Sequence, residues 1–89
     1  MKLIYFLKDT RGGEIMIGVT TKRRLEKRIQ TLQLGNPSEL KLLGVIKTRN
    51  APAIARELRA TYAASHVRGP WFNPAPDLLA FIRSHAVIP

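Results

Sequence analysis

The chain has 89 residues, 45% of them hydrophobic and 24% charged, enough for one domain that buries roughly 60–65% of the surface its unfolded chain would expose. Fifteen Lys and Arg face six Asp and Glu for a formal charge of +9, and the absence of cysteine excludes disulfides and thiolate metal sites and suits a cytoplasmic location. The charge excess points to a polyanion partner; spread evenly it would serve only solubility, but five of the seven residues from Lys22 to Arg28 are basic.

Residues 2–8 are apolar between Lys2 and Lys8. The run is too short for a signal-peptide core or a membrane span and reads as a strand. Apolar on both faces, it belongs in the middle of a sheet. Asp9-Thr10-Arg11-Gly12-Gly13 is a turn and Glu14–Val19 a second short strand, together an antiparallel hairpin. Thr20 or Thr21 caps the next helix, about 22–34, on which Leu25, Ile29 and Leu32 form one apolar stripe. Gly35 ends that helix and Asn36-Pro37 prevents its continuation.

Leu40–Ile46 is a third strand. Asn50-Ala51-Pro52 starts a second helix that turns Ile54, Leu58 and Tyr62 inward. Residues 65–76 read as a loop holding Trp71 and Phe72, more as a core plug than as a base-stacking platform. A short last helix spans about 77–84. The expectation is an α+β domain over residues 1–89, ordered β-β-α-β-α-α, with a three-stranded antiparallel sheet flanked by helices in two layers. It leaves no room for a separate targeting domain.

Several residues carry both a structural and a chemical reading. Gly18 either ends a strand or lets a phosphate approach the backbone, since a side chain there would block it. The hydroxyls of Thr20 and Thr21 cap the helix or bond phosphate. Arg28 lies about 60° to one side of the apolar stripe, and Arg24 is one turn earlier on the same flank. Each either covers apolar surface with its stem or offers a guanidinium fork to phosphate. Arg23 and Lys27 point the opposite way and read as solvated. His66, near the end of the second helix, satisfies backbone carbonyls or contacts phosphate. No Ser/His/Asp set, P-loop pattern or spaced His/Cys cluster occurs.

The element order and particular residues resemble the GIY-YIG nuclease superfamily, most of all its small stand-alone phage and bacterial branch. Leu3-Ile4-Tyr5 stands where that family carries G-I-Y, and Met16-Ile17-Gly18 where it carries Y-I-G. Leu32-Gln33-Leu34-Gly35-Asn36-Pro37 is similar to the branch's L-Q-x-G-N-P, which aligns Arg28 with the family arginine, and Gly69-Pro70-Trp71-Phe72 is similar to G-x-W-F. The resemblance implies a metal-dependent DNA endonuclease. Tyr5, which mid-strand also reads as core or cross-strand packing, would orient or deprotonate the attacking water, Arg28 would neutralise the phosphate, and a carboxylate, Glu57 by default, would hold Mg²⁺ or Mn²⁺. A phenol ionises near pH 10, so a base role asks for a cation beside it.

Two departures stand out. Met16 replaces the second tyrosine, and Ala55 occupies the position of the family's metal-binding glutamate. Glu57 is the nearest carboxylate, but two residues along a helix is about 200° of rotation; its other reading is an exposed partner of Arg56 or Arg59. The rival expectations are a binding module that has lost catalysis and a protein-interaction module whose basic face meets an acidic partner. The expected partner is the DNA backbone, gripped through Gly18, Thr20, Thr21, Arg24 and His66 by a monomer or weak dimer, with no membrane partner.

Overall fold

The computed structural model describes residues 2–89. Its element order begins with β1 (Lys2–Asp9) and β2 (Ile15–Thr21), then a 3₁₀ turn over Lys22–Arg24 that runs into α1 (Leu25–Leu34). β3 (Leu40–Lys47) and α2 (Ala51–Thr61) follow, then β4 (His66–Arg68), β5 (Trp71–Phe72) and α3 (Pro76–His85). The strands form one five-stranded antiparallel sheet in the order β3-β1-β2-β5-β4. The expected three strands are therefore present with two more. The segment expected to be a loop turns back on itself at Gly69-Pro70 and adds β4 and β5 beyond β2. Among the described residues, no helix is long and apolar enough to cross a membrane.

The expectation of two layers is also corrected. Alternate residues of β1 point to opposite faces, and both faces are fully buried. Ile4 and Phe6 join Ile15, Ile17 and Phe72 under Ala51, Ala55 and Leu58 of α2 and Leu78 and Ile82 of α3. Leu3, Tyr5 and Leu7 join Met16, Leu40 and Val45 under Leu25 of α1. A strand that is apolar on both sides needs a cover on both sides, so the helices divide between the faces and the domain has three layers. Each large side chain buried this way contributes about 1.5–3 kcal/mol.

Local chemistry sets the connections. The Asp9 carboxylate accepts from the Arg11 and Gly12 N–H groups at 2.9 and 3.2 Å, and Gly13 takes φ 82° to close the hairpin. Those two N–H bonds, Arg11 first, hold the Asp9 carboxyl below the usual carboxylate range. At the end of α1 the Gln33 amide donates to the Ser38 carbonyl and accepts from the Leu40 N–H, each at 2.8 Å. Gln33 thus fastens the α1–β3 connection.

Candidate nucleic-acid interface

The register of β2 against its neighbours sets up the site. β2 pairs with β1 along its whole length, with Tyr5 opposite Gly18. On its other edge β5 covers only Ile15 and Met16, opposite Phe72 and Trp71. The next pair would be Ile17 and Pro70. The Ile17 N–H donates to the Pro70 carbonyl at 3.1 Å, but proline has no N–H to return the bond. Arg59 fills that role: its Nη2 donates to the Ile17 carbonyl at 3.1 Å from α2. Past this point, among the described residues, β2 has no strand on its outer side. Because the Ile17 N–H and C=O point outward, those of Val19, two residues on, point outward as well.

Two contiguous hollows lie along this open edge. One, of about 440 Å³, is lined by Tyr5, Gly18, Arg28, Arg56, Arg59 and Pro70, among others. Its neighbour, of about 600 Å³, is lined by Thr20, Thr21, Arg24, Lys27, Arg28 and Thr31, with Val19. Val19 and Arg28 belong to both, so the two form one groove. Five cations line it: Arg24, Lys27 and Arg28 from the α1 side, Arg56 and Arg59 from α2. No Asp or Glu does. Arg24, Lys27, Arg28 and Arg56 are exposed, so their charged heads are open to a ligand.

Gly18 has a clear structural cause. A Cβ there would stand 2.7 Å from Cε1 of Tyr5 and closer still to its Cζ and hydroxyl. The Tyr5 ring lies across the glycine, 2% exposed, and brings its hydroxyl end to the groove. The glycine thus makes room for the tyrosine ring. Thr21 is the cap, its Oγ1 accepting from the Arg24 N–H at 3.2 Å, while Thr20 is half-buried in the groove wall.

The groove gathers Tyr5, Gly18, Thr20, Thr21, Arg24 and Arg28 of the residues singled out in the sequence. It does not include His66 or Glu57. His66 Nε2 donates to the Gly69 carbonyl at 2.8 Å and its ring meets Phe72 edge-on at 5.2 Å, so it braces the β4–β5 turn. Glu57 is exposed. On α2 the groove is met by Pro52, Arg56 and Arg59, spaced i, i+4 and i+7, and Glu57 falls off that stripe. Ala55 is fully buried in the core.

Lys27 is exposed, as its place on the helix implies, and also lines the groove. Arg56 and Arg59 read in the sequence as neighbours of Glu57, and their i, i+4, i+7 spacing with Pro52 is the signal that sets them on one face.

The donor set does not fit a divalent metal ion. Mg²⁺ and Mn²⁺ bind through hard oxygens, carboxylates foremost, and this groove offers hydroxyls among five cations. Among the described residues no group of three or more His, Cys, Asp or Glu could hold a metal ion.

No curated protein and no solved structure matches the chain. The sequence profile of the T5orf172 domain matches residues 2–84, a span running from β1 to all but the last residue of α3, and the chain belongs to that family.

Proposed function

We propose that this domain grips the phosphate backbone of DNA in the groove along the open half of β2. The observation that carries the reading is the convergence of five cations, from α1 with the 3₁₀ turn before it and from α2, on one groove without a carboxylate among its described lining. Guanidinium forks match phosphate oxygens in geometry as well as charge, and the outward N–H of Val19 adds a backbone donor of the kind that phosphates accept. Membership of the T5orf172 family is consistent with a nuclease or DNA-binding role. On this reading the domain has a GIY-YIG-type fold and acts in the cytoplasm as a monomer or weak dimer.

A second reading, DNA endonuclease of GIY-YIG type, is favoured by one feature: Tyr5 and Arg28 line the same hollow. Tyr5 would orient the attacking water and Arg28 would neutralise the phosphodiester. The two readings separate in one experiment. Supercoiled plasmid is incubated with the protein in Mg²⁺ or Mn²⁺, beside an EDTA control and Arg28→Ala. The binding reading predicts intact plasmid and a salt-sensitive mobility shift that weakens in the variant. Metal-dependent nicking that disappears in the variant would establish the nuclease reading in its place, and the absence of both shift and nicking would end both.

A further inference from the structure

We infer that Arg56 and Arg59 form the α2 wall of the phosphate site and hold the anion without a divalent metal ion. The inference rests on the backbone-binding reading above and adds the chemical means by which α2 takes part.

The groove-facing stripe of α2 carries Pro52, Arg56 and Arg59. The core-facing position beside it is Ala55, fully buried, and the nearest carboxylate, Glu57, is exposed off the stripe. A metal ion bridging protein and phosphate would need oxygen ligands on this wall; the wall supplies guanidinium groups. Two guanidinium groups can neutralise the anion with their own charge and donors, the work a divalent ion would otherwise do.

The two arginines differ in how they are held. Arg59 is half-buried and spends one N–H on the Ile17 carbonyl. That bond stands in for the N–H that Pro70 lacks, and it cancels an edge acceptor that would repel an anion at this place. A guanidinium has five N–H donors, so the rest of the fork stays available while its position is fixed in advance. Arg56 is exposed and lies one turn back on the same stripe, so its fork is free to close on the ligand.

The test measures affinity for a fluorescein-labelled DNA duplex by anisotropy, in EDTA and in Mg²⁺ at matched ionic strength, for the parent protein, Arg56→Ala and Arg59→Ala. The expected result is equal affinity in the two buffers. Each variant should bind about tenfold more weakly, the loss expected for one charge-assisted contact. Each should also reduce the log–log salt slope by about 0.9, the amount assigned to one phosphate contact. Arg59→Ala also removes a structural bond, so thermal unfolding is recorded for both variants, and Arg56→Ala carries the decision if Arg59→Ala unfolds early. Binding that needs Mg²⁺, vanishes in EDTA and is unchanged in Arg56→Ala would overturn this inference while leaving the backbone reading intact. No binding in either buffer would overturn both.

Discussion

The two halves of β2 have the same neighbour on one side and opposite fates on the other. From Ile15 to Ile17 the outer edge is closed by Phe72, Trp71, the Pro70 carbonyl and the Arg59 guanidinium. From Gly18 to Thr21 it is bordered by Arg28, Arg24 and hydroxyls, with no strand alongside. The first half holds the sheet together and the second meets the outside. The changeover falls at Pro70, whose missing N–H stops the ladder. An open edge invites pairing with another chain, and here a ring of positive charge guards it. One strand is thus paired along its first half and open along its second, and the missing N–H of Pro70 sets where the pairing ends.

This contrast can be broken at three places, in order of expected effect. Phe72 is 1% exposed in the closed half, and Phe72→Ala should lower unfolding free energy by about 3–5 kcal/mol, read from urea denaturation. A loss well under that range would mean β5 is an accessory to the fold and the halves differ less than described.

Gly18 sits at the boundary beneath the Tyr5 ring. Gly18→Ala should cost about 1–3 kcal/mol through overpacking, and combining it with Tyr5→Ala should destabilise by less than the sum of the single changes. Additive losses would show that the ring does not set the glycine. The smallest effect concerns the substitute donor. Arg59→Ala leaves the Ile17 carbonyl without its partner and should cost about 1–2 kcal/mol. Pro70→Ala restores a backbone N–H at that position, so the double variant should recover part of the loss. A double variant as unstable as the sum would refute the replacement of one donor by the other.

Much of this arrangement was legible in the sequence. The apolar run of β1 and the Asp9–Gly13 turn marked the hairpin, and the Leu25, Ile29 and Leu32 spacing marked α1, with Thr20 or Thr21 as its cap; Thr21 caps the 3₁₀ turn that leads into it. The third layer was implied by β1 being apolar on both faces, but helix placement is a tertiary outcome and was not drawn from that pattern. β4 and β5 are three and two residues long, too short for alternation to register, and the Gly69-Pro70 turn signal between them read as loop. Six of the groove residues, Tyr5, Gly18, Thr20, Thr21, Arg24 and Arg28, were visible because the basic cluster and the strand motifs stand out locally. Arg56 and Arg59 were not, because their role depends on where α2 lies against β2. Pro70 and Arg59 are joined through Ile17, a link that no local pattern encodes.

The most direct test of the account is the salt dependence of DNA binding by the parent protein and Arg28→Ala. Arg28 lines both hollows, so it stands at the centre of the open half. With about four phosphate contacts, log affinity should fall against log salt with a slope near −3.6. Arg28→Ala should weaken binding and bring the slope about 0.9 closer to zero, with the fold intact by circular dichroism. A flat salt dependence, or a slope that Arg28→Ala leaves unchanged, would contradict the claim that the open half of β2 is where the backbone is held.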